Sequence, residues 1–405
     1  MIQQDPRISM DADLVVVGNG VVGLSTALAC RQRDPDQRIL LIGPSHRLGA
    51  ASPAAAAMLA AASEVRPSTF DDPGMTSWIE LVCEAVRHWP EWLAEVAERS
   101  RVPSSLVPPI ARGIAVVGNE HDSGFDAILD AVERFGSMSR RIDIEELGIL
   151  RTDIPQRCLL IEEEGGIDPV ELLRFLDVCI DAVGIERLDG QVRRVEAGRI
   201  ILESGSSIRA EQILIASGSD CHRLLDPESV SFRSLPRIGF SQGVGLRGRP
   251  RLEQSIPRHA IRTPNRNDGS NLYLVPHGDG RVYIGATTTL EDRPRLEPLP
   301  HEIATIRCAA DRMLANEVLN DSYRPVIGSR PVSEDGLPVI GALGDGLWIA
   351  TGTDRDGLSA APELSRRLAA SISGTTDRIP ACFKPSSRTS SPSSRTAIQD
   401  QIELC

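Results

Sequence analysis

The sequence predicts an α/β chain: a doubly wound parallel-sheet domain interleaved with a second, α+β domain built on an antiparallel sheet. Three observations carry this reading. The β-branched run Leu14-Val15-Val16-Val17 leads at once into a glycine-rich turn and then an apolar helical pattern. A second buried-strand pattern, Gln212-Ile213-Leu214-Ile215-Ala216-Ser217-Gly218, ends in small residues far along the chain. Between them and the C-terminus, residues 233–289 hold short strand-like runs separated by turns, the pattern of an antiparallel sheet.

The first turn is Gly18-Asn19-Gly20-Val21-Val22-Gly23, which reads G-x-G-x-x-G between a strand and a helix. Gly18 permits the tight turn. Gly20 lets a pyrophosphate approach the backbone, and Gly23 lets the helix pack close to the strand. The helix N-terminus offers free N–H groups to phosphate. This context marks a dinucleotide site. A second strand, residues 38–42, follows. Its end carries Gly43 and Pro44 where such folds place an acidic ribose ligand. Ser45, His46 or Arg47 are the substitutes at hand, and an arginine there would suit the 2′-phosphate of NADP.

Composition narrows the function. The 405-residue chain is 41% hydrophobic and 25% charged, ordinary for a globular protein with room for two cores. Its net charge of −12 speaks against a nucleic-acid partner. Lys384 is the one lysine. The chain therefore has no lysine placed for a Schiff base and no G-K-[ST] P-loop. Eight cysteines are scattered with neither C-x-x-C nor zinc spacing, so no metal is expected. Residues 1–13 lack the apolar core of a signal peptide, and no apolar run is long enough to span a membrane. The expected setting is cytoplasmic and reducing.

Further elements follow in order. Residues 49–59 are dense in alanine, which suits either a buried helix or backbone packed against something flat. Trp78, Leu81, Val82, Ala85, Val86 and Trp89 recur at helical spacing as a core stripe, and Pro90 should kink or restart that helix. Residues 113–118 read as a strand and residues 125–135 as a helix. Asp168 and Pro169 read as the cap and first position of another helix. Residues 192–208 suggest a β-meander. From Ser371 the chain turns Ser-, Thr-, Arg- and Pro-rich, and 379–405 is expected to be a flexible tail.

Four stretches together resemble the D-amino-acid oxidase superfamily, its glycine oxidases above all. The Gly49-to-Leu59 segment is similar to a G-x-S stretch that runs beneath a flavin, with Ser52 at the motif serine and Ala56 and Ala57 where glycines are common. Residues 273–287 match Y-x-V-P-x-x-x-G-x-x-x-I-G-A-T. Residues 328–341 match G-x-R-P-x-x-x-D-G-x-P-x-I-G. Residues 352–357 resemble G-H-x-R-x-G, with Thr353 where the family has histidine. The resemblance spans residues 13–374. It implies a Rossmann-like FAD-binding domain from segments 1–85, 151–225 and 325–378, and a substrate domain from 86–150 and 226–324.

The resemblance also assigns roles. FAD would bind noncovalently, since no cysteine lies between Cys308 and Cys382. Gly18, Gly20, Val21, Val22 and Gly23 would hold its pyrophosphate, with Ser45, Arg47 and Gly218 near the adenosine side. Ser52, Ala57 and Met58 would lie by the flavin, and Gly352, Arg355, Gly357 and Leu358 would present a loop or helix start to its ring. Arg330 would grip a substrate carboxylate bidentately, against the alternative of an ion pair with Glu334 or Asp335. Tyr273 would face the substrate or place its hydroxyl at the surface. Arg355 would be a second clamp or a cofactor contact. The implied reaction passes a hydride from a small amine or amino acid to flavin N5, gives an imine, and returns electrons to O2 as hydrogen peroxide. Two alternatives stay open: a dehydrogenase with a non-oxygen acceptor, acting on an amino acid or 2-hydroxy acid, and a flavin-binding protein without catalysis. A homo-oligomer is compatible with each.

Overall fold

The structure, a computed structural model, describes residues 11–151, 156–229, 233, 235–265, 271–315, 318–376 and 378–387. The chain has the predicted mixed α/β architecture, carried by two sheets. The first holds β1 (Asp11–Val17), β2 (Ile39–Ile42), β7 (Glu186–Leu188), β8 (Val192–Glu196), β9 (Arg199–Leu202), β10 (Ser207–Ile215), β16 (Val339–Gly344) and β17 (Leu347–Thr351). Its order is β16-β17-β10-β1-β2-β7. The strands from β17 to β7 run parallel, and β16 closes one edge antiparallel. The predicted meander is present, with β8 and β9 folding back antiparallel onto β10.

β1 is central because its side chains are apolar on both faces. Leu14 and Val16 face α1 (Val21–Arg33), α3 (Pro73–Arg99), α5 (Pro169–Ala182) and α8 (Ala361–Ile372). Val15 and Val17 face β8, β9 and the short α6 (Cys221–Leu224). α5 starts as its sequence predicts: the Asp168 side chain accepts hydrogen bonds from the N–H groups of Val170 and Glu171, and Pro169 follows.

The second sheet holds β3 (Met58–Leu59), β4 (Ile110–Gly118), β5 (Ser139–Arg141), β6 (Arg157–Ile167), β11 (Ile238–Gly248), β12 (Ala260–Arg262), β13 (Tyr273–Pro276), β14 (Val282–Glu291) and β15 (Arg324–Ser333). Its order is β15-β11-β14-β13-β12-β4-β6-β3, antiparallel except where β12 meets β4. Its far face packs Val244, Leu246 and Ile284 under Ile306 and Ala310 of α7 (Pro300–Met313). Sheet membership departs from the expected segments. β3, β6 and β15 fall in stretches assigned to the dinucleotide domain, yet they pair in the second sheet. The reason is complementary burial: Leu159, Leu160 and Ile161 of β6 lie opposite Val116, Ala115 and Ile114 of β4.

Two local expectations are corrected. α3 continues as one helix through Pro90 and does not restart there. Trp89 is fully buried and its Nε1 donates to the Ser359 carbonyl, 3.0 Å away, so packing outweighs the lost backbone bond. Residues 379–387 of the expected flexible tail are folded: Phe383 is fully buried and meets the Trp78 ring edge-on at 5.7 Å. The rest of that tail, from 388, lies outside the described residues. The buried ring generates a prediction. Phe383→Ala should cost about 3–5 kcal/mol, read as a lower denaturant midpoint at unchanged slope. A midpoint equal to wild type would show that 379–387 does not pack as described.

Candidate active site

A cavity of about 340 Å3 lies between the C-terminal ends of the parallel strands and the near face of the second sheet, within the size range of small-molecule sites. It starts at the β1–α1 turn. Gly18 has φ +117°, and a Cβ there would stand 2.3 Å from the Ala216 carbonyl oxygen. A Cβ on Gly23 would stand 1.8 Å from the Gly18 oxygen, so strand and helix meet with no room for side chains. Gly20, Val21 and Val22 then line the cavity. Gly20 caps α1 without a side-chain bond; Ser52 Oγ, from the neighbouring segment, accepts from Val21 N–H at 3.1 Å.

The missing ribose carboxylate has a physical replacement, though not the one the sequence suggests. Asn19 fills the space beside Gly43 and donates through Nδ2 to the Pro44 carbonyl at 3.0 Å. Arg47 lines the cavity but is pinned, donating to Asn19 O at 2.9 Å and to both oxygens of Asp177 at 2.6 and 2.9 Å. That pairing argues against a 2′-phosphate ligand. Ser45 is exposed and lies outside the cavity lining, its N–H bonded to Asp189.

The alanine-rich segment is not a long helix. A single turn, α2 (Ala51–Ala54), gives way to extended backbone, with Ala57 at φ +59°. Ala57, Met58 and Ser52 line the cavity, as does Gly218 from the far side. Ser217 Oγ, also in the wall, is buried without a hydrogen-bond partner among the described residues. On the opposite wall, Arg355, Gly357 and Leu358 line the cavity, whereas Gly23 and Gly352 stand behind it. Thr353, in the place of the family histidine, is buried against Gly357.

Arg330 lies on β15 with its guanidinium over Gly243 of β11. A Cβ on Gly243 would stand 2.4 Å from Arg330 Nη2. Its one hydrogen bond among the described residues goes from Nη1 to Thr288 Oγ1, at 3.1 Å. Among the described residues it forms no ion pair, so the alternative with Glu334 or Asp335 is not realised. Tyr273 also lines the cavity, stacked on Tyr283 with ring centroids 6.1 Å apart. Burial raises both phenols, so each is neutral at physiological pH.

Arg355 belongs to a buried cluster that motif reading did not reveal. Glu64 pairs with Arg262 Nη1 and lies 3.5 Å from Arg355 Nη1. Arg355 also donates to Asn265 Oδ1 at 3.3 Å. Burial works to raise the Glu64 carboxyl, but Arg262 and Arg355 overcome it and hold it at about 2. Burial works against the charge on Arg355, yet Glu64 and the neighbouring aspartates keep it more firmly protonated than usual. Beside them Asp356 accepts from Trp78 Nε1 at 2.9 Å. Its burial, and then the Glu64 charge, push it up to about 7. No signal at hand marks Asp356 in sequence; Glu64 had one faint sign, an acid two positions after the Ala60-Ala61-Ala62 run.

Five described cysteines are buried, Cys382 is half-buried and Cys308 is exposed; none is in a disulfide and none lines the cavity. Of the described helices, none is long and apolar enough to cross a membrane.

Comparison with known proteins agrees with this geometry. The sequence matches the family described as FAD dependent oxidoreductase over residues 13–371. A tRNA 5-methylaminomethyl-2-thiouridine biosynthesis bifunctional protein from Idiomarina loihiensis is 24% identical over 89% of this chain and 56% of its own length. A glycine oxidase from Pseudomonas aeruginosa is 28% identical over 46% of this chain and 49% of its own. The chain thus spans about half the length of these curated relatives. Glycine oxidase from Geobacillus kaustophilus superposes with a TM-score of 0.76 at 21% identity, covering 93% of this chain and 98% of that one. Iminodiacetate oxidase from Chelativorans sp. does so at 0.70 and 18%, covering 91% and 97%. Those identities speak to fold alone. The glycine cradle, the orphaned Ser217 hydroxyl and the small-residue wall fit an FAD dinucleotide, and with the family match over residues 13–371 they place this chain in the FAD-dependent oxidoreductase family typified by D-amino-acid oxidase.

Proposed function

We propose that the chain oxidises a small carboxylated amine or amino acid, with noncovalently held FAD and with O2 as final acceptor. The observation that carries this is Arg330: a guanidinium on the cavity wall, shelved on Gly243, without a carboxylate partner among the described residues. An arginine left so in a folded wall is a ready fork for an anionic ligand. The glycine oxidase name attached to one sequence relative supports the same substrate class.

When bound, FAD supplies the two-electron acceptor for the C–H bond beside nitrogen. Gly18, Gly20 and the α1 N–H groups would hold its pyrophosphate, and Ser52 fixes that helix end. This chain's own work is then placement. Arg330 takes the carboxylate and Thr288 sets the fork. Tyr273 and Tyr283 form a flat, neutral wall. Arg355, fixed by Glu64, holds the opposite side. Positioning of this kind needs no acid–base side chain at the reacting carbon. The absence of any cysteine from the lining supports noncovalent FAD.

Arg330→Ala should keep the flavin absorption bands and weaken carboxylate binding about 10- to 100-fold, the loss of a charge-assisted hydrogen-bonded pair. Titration with a simple carboxylate, followed by flavin absorbance, checks this; unchanged affinity would sink the clamp.

Asp356 generates a second expectation. Its ordinary value is 3.8 and its folded value about 7. The folded state therefore holds a proton that the unfolded chain releases. Its burial costs nothing below 3.8, a growing amount as pH rises between the two values, and the full amount above 7. Asp356→Asn should gain thermal stability relative to wild type as pH rises from 4 to 8. Parallel midpoint curves for the two proteins would refute the buried acid.

A further inference from the structure

A second cavity, about 240 Å3, adjoins the first around Asp354 and Arg355, which line both. It opens between β14 and α7, beside Leu272 and the β14 threonines Thr287, Thr288 and Thr289. Most of its charged groups are already engaged. Glu302 is bidentate to Arg295, at 2.8 and 3.1 Å. Arg355 is committed to Glu64.

Two atoms are not. Among the described residues, the buried atoms Thr287 Oγ1 and Asp354 Oδ1 have no hydrogen-bond partner, while the other Asp354 oxygen lies 3.8 Å from Arg355 Nε. Leaving such atoms unpaired costs about 1–3 kcal/mol each. Asp354 also holds a left-handed φ of +41°, fixed by its N–H bond to Pro331 O at 2.8 Å. Strain of that kind is kept where it serves a site. An orphaned carboxylate oxygen asks for a donor, and a threonine hydroxyl can give or take.

We infer that the substrate is larger than a bare glycine-like acid: its substituent passes Arg355 and ends in a hydrogen-bond donor that Asp354 and Thr287 receive in the second cavity. This rests on the proposed function, with Arg330 holding the carboxylate. The substrate class is then an amino acid or amine carrying an amide, hydroxyl or ammonium at the far end of its side chain. Arg330 sets one end and Asp354 the other. The unpartnered Asp354 oxygen discriminates against an alkyl end of the same shape, because that end would leave both polar atoms unpaired.

The test uses the FAD-loaded full chain and three acids that carry no oxidisable amine: acetate, 4-carbamoylbutanoate and its alkyl isostere 5-methylhexanoate. Affinities are read from flavin absorbance. The amide acid should bind about tenfold or more tighter than the alkyl acid. Thr287→Val and Asp354→Asn should each shrink that ratio, while Thr287→Val leaves acetate affinity unchanged. Equal binding of the two long acids, with acetate still binding, overturns this inference and leaves the carboxylate clamp standing. A ratio that survives both substitutions also overturns it. Failure of all three acids to perturb the flavin overturns the clamp and the inference together.

Discussion

The two sheets are locked to each other by one buried carboxylate. Glu64 follows β3 in a single 3-10 turn, and Arg262 from β12 pairs with it in a place where that arginine is 2% exposed. Arg355, from the loop after β17, reaches the same carboxylate, and Asn265 donates to the Glu64 carbonyl at 2.8 Å. Breaking a buried pair by removing one partner costs about 3–5 kcal/mol, because the other charge is left without compensation. The Arg355 contact, at 3.5 Å, is the member of this cluster that crosses between the sheets. Glu64 and Arg355 also line the cavity, together with Tyr273.

What the sequence makes legible is what near neighbours decide. The β1–α1 turn, the Asp168 cap and the runs of β11, β13 and β14 are all set by residues a few positions apart. Arg330 is legible because a long ordered motif surrounds it. The Glu64 cluster is not, since its partners stand at 262, 265 and 355 and meet only in three dimensions. Pro90 misleads for a related reason: the local rule breaks the helix, and distant packing on Trp89 restores it. Residues 379–387 mislead through composition, because one buried ring, Phe383, outweighs a polar neighbourhood. Gly43 reads as a missing ligand, whereas it is the space that Asn19 needs.

Arg330 shows how a residue legible in sequence depends on one that is not. Its guanidinium can lie flat on the sheet only because Gly243, across the β11–β15 ladder, has no Cβ. Opposite Gly243 stands Gly328, so the strands are bare on that side at this point. The guanidinium is thereby held before any ligand arrives, with Thr288 setting its rotation. Such preorganisation lowers the ordering cost of binding, which is where a rigid fork gains over a flexible cation.

Charge completes the argument. Around the Glu64 cluster the guanidiniums of Arg262, Arg330 and Arg355 stand against the carboxylates of Glu64 and Asp354, while Arg47 and Asp220, also in the wall, are paired with Asp177 and Arg223. Asp356 holds its proton up to about pH 7. One positive charge is therefore left uncompensated, and it is the one on Arg330. Arg330 is half-buried, and its guanidinium has no carboxylate partner among the described residues. An anionic substrate group repairs that balance when it binds. Under the proposed function, a neutral amine without a carboxylate would leave Arg330 as it is and gain no such pairing, so the electrostatics of this wall would favour the carboxylated ligand.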